Sequence, residues 1–278
     1  MELTSPQEER SLASRALSRL SLHTVQTVLL RLGALGFLLV AWGIFTWVNQ
    51  LGEWVNPVLL PTPLEVVESG YELGRQGLLA HYFLVSLGRV VKGFGLAAVA
   101  ALSLGILIGM SNVLRSLIQP IIEFLRPIPP LAFLPMFLVW FGLGESSKVA
   151  FIAYTTFFPM FVAIAAGVMQ VDIMQLRAAA SLGATPWQMV RYVVWPSAFS
   201  GIIVGLRVGF SLAIFVIVGA EFMGADSGLG YMIVEGRDFF LPAQIVVGAL
   251  ILGGLGFLVN ALLLRLEHHL LRWRVAPS

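Results

Sequence analysis

Long apolar runs separated by short polar punctuation dominate the chain. Hydrophobic stretches at about 30 to 48, 91 to 110, 116 to 141, 148 to 168, 198 to 221 and 242 to 264 approach or exceed the roughly 20 residues a helix needs to cross a bilayer core. A soluble domain would have to bury every one of them. The pattern therefore predicts an all-α integral membrane bundle of about six transmembrane helices. Residues 1–29 read as a retained cytoplasmic tail, 30–264 as the transmembrane domain and 265–278 as a second cytoplasmic tail.

One polar interruption carries strong punctuation. In "LRAAASLGATPWQMVRYVVWP", a helix from about Asp172 should end at Gly183, since glycine adopts the left-handed conformation common past a helix C-terminus. Thr185 then reads as an N-cap, Pro186 as the first helical residue and Gln188 as the reciprocal member of a capping box. The expectation is two short helices meeting at a sharp turn, the second closed by Pro196. Ile173, Leu176, Ala179, Ala180 and Leu182 form an apolar side of the first helix with nothing in this chain obviously available to cover it, which suggests a partner.

Between the first two runs, "NPVLLPTP" should be extended or turned, and "PLEVVESGYELG" from Pro63 reads as a short amphipathic helix at the interface. Residues 224 to 231, "GADSGLGY", read as a glycine-rich turn without the lysine of a phosphate loop.

Composition sharpens the membrane reading. The 278 residues are 58% hydrophobic and 12% charged, against about 25% charged in soluble domains. A net charge of +2 is too small and scattered for nucleic acid, and the absence of cysteine excludes disulfides and thiolate metal sites. The placement of charge matters more than its sum. Arg10 to Arg31, Arg115, Arg177, Arg191, Arg265, Arg272 and Arg274 fall on one side of a six-span topology. Glu53, Glu65, Glu68, Glu72, Glu145, Asp226, Glu235 and Asp238 fall on the other. Positive charge favours the cytoplasm, so both termini and the punctuated loop at about 170–196 should be cytoplasmic.

Charges inside the runs are costly, about 2.5–3.5 kcal/mol at a helix centre on insertion scales, so Glu123, Arg126, Arg207 and Glu221 should face the bundle interior. Glu123 and Arg126 are neighbours on one helix face, and Arg207 and Glu221 share another, so two cross-helix pairs are expected. A structural ion-pair network and a positive pathway for an anion are both open readings. The run "RPIPP" must break the third span, because Pro127, Pro129 and Pro130 cannot all sit in a regular helix. Broken backbone belongs where it lines a cavity or is buried in protein. The expected route is residues 126 to 135, with Phe133, Met136 and Trp140 as gate or packing groups.

The loop resembles the permease signature of binding-protein-dependent ABC importers: a Glu-Ala-Ala triplet, a glycine four residues beyond its last alanine, and a hydrophobic-X-Leu-Pro ending. Ala178, Ala179, Gly183, Val193 and Pro196 match it, while Arg177 stands in place of Glu and Trp195 in place of Leu. Arginine at that position resembles the taurine and sulfonate branch. "LPTPLEVV", "SLGRVVKGFGLA", "LRPIPPLAFLPMFLVWFGLGESSKV", "GLRVGFSLA" and "AEFMGADSGLGYMI" extend the resemblance over about residues 57 to 264. The "WFGLG" element tilts it toward organic sulfonates rather than nitrate or bicarbonate.

The resemblance implies a type I importer permease acting as a homodimer, with two cytoplasmic ATPase subunits that bind ATP and Mg, and an external substrate-binding protein. It makes Arg177, Ala178, Ala179, Gly183, Ala184, Thr185 and Pro186 the ATPase-coupling residues. It leaves this chain without catalytic residues, metal or cofactor. The residues agree with that division of labour. Neither Lys92 nor Lys148 ends a phosphate-cradling loop, and hydrolase motifs are missing from the sequence. An ATP-independent channel or scaffold is the competing class.

Overall fold

The computed structural model describes residues 30, 33–34 and 36–270, apart from the side chains of 268 and 270. The two expected tails therefore lie largely outside the described residues, as does the start of the first run. The chain divides into two compact units, one ending at Glu68 and one beginning at Ser69.

In the first unit, α1 (Gly36–Gly52) is apolar but shorter than a full span. Its end is tied by the Asn49 amide, which donates to the Val55 carbonyl at 2.8 Å and accepts from the Val55 N–H at 2.9 Å. The Trp42 indole N–H donates to the Pro61 carbonyl at 3.2 Å. The amphipathic helix expected from Pro63 is present as α2 (Pro63–Arg75). Its start is fixed by a reciprocal cap: the Glu65 N–H donates to the Thr62 hydroxyl and the Thr62 N–H to the Glu65 carboxylate.

The second unit contains α3 (Leu78–Met110), α4 (Asn112–Leu125), α5 (Pro130–Phe141), α6 (Glu145–Met169), α7 (Ile173–Ser181), α8 (Pro186–Phe222), α9 (Leu229–Asp238) and α10 (Pro242–Leu270). Among the described residues four helices (α3, α6, α8 and α10) are long and apolar enough to cross a membrane, or five when α4 and α5, bent by 98° at their junction, are counted together as one broken span. The break falls where the prolines of "RPIPP" remove N–H donors. Several helices outrun their apolar runs. Leu78 rather than residue 91 opens α3, because the polar residues that lower its hydropathy, Ser86 and Arg89 among them, are buried with partners.

The core lies where α6 packs between α3 and α8. Ala97, Ala101 and Ile108 from α3 meet Met160, Ile164 and Val168 from α6 and Val194, Ala198 and Ile202 from α8. Small residues allow this closeness, because packing in lipid gains from van der Waals contact rather than from water exclusion. Gly201, Gly205 and Gly209 repeat every four residues along α8 and face α6. A Cβ on the facing Gly167 would come within 2.8 Å of the Gly201 Cα.

The second helix of the elbow differs from expectation. It does not stop at Pro196; Pro186 opens a helix that continues to Phe222 through one wide turn of π-helix at Val190–Val194. In that turn the Trp195 N–H reaches back five residues to the Val190 carbonyl. The wide turn gives the proline ring, which has no N–H and would clash with the preceding turn, room inside a continuing helix.

Candidate functional site

Three groups of residues stand out: the elbow between α6 and α8, a buried charge cluster at the opposite end of the bundle, and the broken span.

The elbow is built from local hydrogen bonds. The Asp172 carboxylate accepts from the Met174 N–H at 2.8 Å and starts α7. At the other end the Gly183 N–H donates to the Ala180 carbonyl and the Ala184 N–H to the Ala179 carbonyl, with Gly183 at φ +78°; this is a Schellman motif. The next helix begins at once. The Gln188 N–H donates to the Thr185 hydroxyl at 3.3 Å and the Thr185 N–H to the Gln188 side-chain carbonyl at 2.8 Å. The Ser197 hydroxyl donates to the Gln175 side-chain oxygen at 3.2 Å, tying α7 to the base of α8. Of the apolar side expected on α7, Leu176 packs on the core and Ala179 is half-buried. The outer surface is apolar all the same: Ile173 is 55%, Met174 65%, Leu182 89% and Trp187 73% exposed, all in or beside the elbow. Arg177, Ala178, Gly183, Thr185 and Pro186 are exposed beside them and Ala184 is half-buried.

At the far end, Arg89 is the residue that sequence reasoning missed. Its guanidinium is buried and donates to the Glu145 carboxylate, to Glu221 at 2.8 Å and to the Ser227 carbonyl at 2.6 Å. Glu221 also accepts from the Ser86 hydroxyl and the Gly230 N–H, both at 2.7 Å. A side chain on Gly228 would fall on that carboxylate, so the turn can wrap it only with glycine there, at φ +118°. Lys148 is also buried and donates to the carbonyls of Leu143, Gly144 and Gly224. Two cations and two carboxylates thus pin α3, α6, α8 and the 224–230 turn together. Outside the spans, Asp226 is held below the usual carboxylate range by its own backbone N–H and by the Ser227 hydroxyl. The legible signal for Arg89 was a cation in a run that was otherwise becoming apolar, and the span was begun two residues too late to count it.

The intramembrane charges otherwise pair differently from expectation. Glu221 takes Arg89 rather than sharing a pair network with Arg207. Arg207 donates to Glu267 on α10 at 2.6 Å. Glu123 and Arg126 do not pair with each other; Glu123 accepts from Gln119 at 2.7 Å, and both residues are exposed rather than turned inward. The reason is the break: where α4 ends at Leu125, its polar last turn is no longer packed on both sides. Pro127 and Pro129 are exposed at the bend and Pro130 opens α5. Phe133 meets the Tyr154 ring edge-on at 5.7 Å, and Met136 is 41% exposed. A cavity of about 350 Å³ lies between the break, α6 and α8, and another of about 120 Å³ lies toward the elbow; Arg126 lines both. Among the described residues no cluster of His, Asp and Glu is placed to hold a metal ion.

An all-helical bundle with a broken span and a capped elbow defines the class: a multi-pass membrane permease of the type I importer fold. A solved amino acid ABC transporter shares that fold at TM-score 0.60 and 21% identity, over 72% of this chain and 97% of the solved one. The particular family follows from sequence: residues 101–274 match the binding-protein-dependent transport system inner membrane component, and the chain belongs to that family. The taurine transport system permease protein TauC of Escherichia coli (strain K12) is 34% identical over 251 residues, 88% of this chain and 90% of the relative. The putative aliphatic sulfonates transport permease protein SsuC of Bacillus subtilis (strain 168) is 35% identical over 241 residues, 86% and 87% of the two chains. The nitrate import permease protein NrtB of Synechocystis sp. is 32% identical over 243 residues, 84% and 86% of the two chains.

Proposed function

We propose that this permease works as a homodimer in an ATP-driven importer, carrying a small anionic solute handed over by an external binding protein. Two cytoplasmic ATPase subunits drive it by gripping the 170–196 elbow. Taurine or an alkanesulfonate is the favoured solute, in line with the printed names of TauC and SsuC, and nitrate, as in the name of NrtB, or bicarbonate is the next.

The observation that carries this reading is the elbow. Its backbone is locked at both ends by caps, yet Ile173, Met174, Leu182 and Trp187 are turned outward around the turn at Gly183. A rigid, apolar, uncovered knob is what a separate subunit can grip. Because α8 runs unbroken from Pro186 and α7 is bonded to its base, a push on the knob moves α6 and α8 as bodies rather than deforming a loop. ATP binding then shifts the balance of inward-open and outward-open states by as much as it favours one of them. The arginine asymmetry along the sequence supports placing the elbow and both termini in the cytoplasm.

Copurification is the test. The chain, extracted in mild detergent from the cells that naturally express it, is expected to bring down a nucleotide-hydrolysing subunit. Replacing Leu182 and Trp187 together by Glu is expected to release it while the chain stays in the membrane. A chain that comes out without an ATPase, and moves solute regardless, would establish the channel or scaffold reading instead.

A further inference from the structure

The cations of the spanning helices divide into those with partners and those without. Arg89 and Arg207 are paired with carboxylates, and Lys148 is held by three carbonyls. The Arg126 guanidinium has no hydrogen bond or ion pair among the described residues. Lys92, Arg191 and Arg265 share that condition and, like Arg126, are exposed, but they line neither cavity. Arg126 sits at the bend between α4 and α5 and lines both cavities, so its guanidinium is free to meet a solute there.

The larger cavity, about 350 Å³, is within the range of small-ligand sites. Its wall is apolar and aromatic, with Phe151 and Phe158 from α6 and Leu212 and Phe215 from α8. Two lining residues have polar side chains. One is Arg126; the other is Thr155, whose hydroxyl proton is already committed to the Phe151 carbonyl at 2.9 Å. No carboxylate lines it.

We propose that this cavity is a solute station selective for an organic monoanion with an uncharged apolar tail, its acid group recognised by Arg126. The inference rests on the importer-permease reading and narrows its substrate class. A planar guanidinium can hold two oxygens of one sulfonate or carboxylate at once. The aromatic wall then rewards a tail that fills it. A bare inorganic anion leaves that wall unfilled. A zwitterion such as taurine brings an ammonium into a lining that offers no countercharge, so desolvating it is penalised. Glu123 and Gln119 line only the smaller, elbow-side cavity. The Glu123 carboxylate repels an anion from that space, which keeps the acid group on the Arg126 side of the larger cavity.

The test uses the full chain in lipid nanodiscs, with 1-butanesulfonate, taurine, nitrate and butylammonium as probes and binding read by intrinsic tryptophan fluorescence. Butanesulfonate is expected to bind about tenfold or more tighter than taurine or nitrate, and butylammonium not at all. Arg126→Gln should weaken butanesulfonate binding by about tenfold or more, with Arg126→Lys in between. Leu212→Trp, which fills the cavity and leaves Arg126 in place, should weaken butanesulfonate and leave nitrate unchanged. Equal affinities for the three anions overturn the inference, and so does an Arg126→Gln chain that binds butanesulfonate as well as the parent. If the Arg126→Gln chain does not fold, the probe series on the parent and the Leu212→Trp chain decide alone. The outcome is separable from the importer reading: an ATPase that copurifies with a chain showing no preference sinks the cavity alone, whereas selective binding by a chain without an ATPase sinks the importer alone.

Discussion

Arg89 and Gly183 show how single residues set the behaviour of the two ends of the bundle. Arg89 is the countercharge of a carboxylate that is almost completely buried, and α8 cannot turn Glu221 toward solvent. Arg89→Met is expected to cost about 3–5 kcal/mol, because it strands that carboxylate rather than because the pair itself is strongly stabilising. Thermal unfolding in detergent should show a large drop. The double variant with Glu221→Gln should recover part of it, and a strictly additive double variant would mean that the two residues are not coupled. Gly183 carries no packing load, as nothing lies within 4 Å of where a Cβ would be. Its constraint is φ +78° alone. Gly183→Val is therefore expected to strain the turn by about 1–2 kcal/mol, and Gly183→Asn by less. The readout is substrate-stimulated ATP hydrolysis in the assembled importer: it should fall for valine, hold for asparagine, and leave membrane levels of the chain unchanged in both.

Helix contacts sort the glycines into those that hold elements together and those that do not. Gly201 is pressed against Gly167, so any side chain there meets backbone that cannot rotate away. Gly253 on α10 faces open space. Gly201→Val should pry α8 from α6 and lower the yield and melting temperature of the purified chain, while Gly253→Val should leave both within error. The elements themselves were legible to different degrees. Apolar runs located the spans, and the elbow's caps could be read almost atom by atom, because Asp172, Gly183, Thr185 and Gln188 act on their own neighbours in sequence. Pro196 was misread for the same reason: a local rule said stop, and a wide turn five residues long supplied a tertiary answer. The pairing of Arg89 with Glu221 was not legible, since it joins residues 132 apart and no spacing rule reaches that far. α9 went unanticipated because its sequence is short and mixed, with Glu221 and the start of α10 doing the holding.

At the scale of the whole molecule, the fold separates the elbow, proposed to be gripped by an ATPase subunit, from the end pinned by Arg89 and Lys148. The sequence contains no cysteine, so single cysteines can report which end faces which compartment. Leu182→Cys should react with a membrane-impermeant maleimide only in inside-out vesicles, and Asp226→Cys only in right-side-out cells. Labelling of both from one side would refute the proposed orientation. The proposed orientation rests on the charge asymmetry of the sequence. What that asymmetry could not supply was which of the charges are already spent on one another and which of the rest lines a cavity, and the two together single out Arg126.

The π-turn at Val190–Val194 governs how the elbow is phased to the rest of α8. One additional residue in a turn rotates everything beyond it by about 100° around the helix axis. The glycine face of α8 points at α6 only with that offset included. An ancestor or engineered variant that lost a single residue here would keep its elbow and its hydrophobicity intact, yet present the flank of α8 where its flat side belongs, like a key cut correctly but set one notch round on its shank.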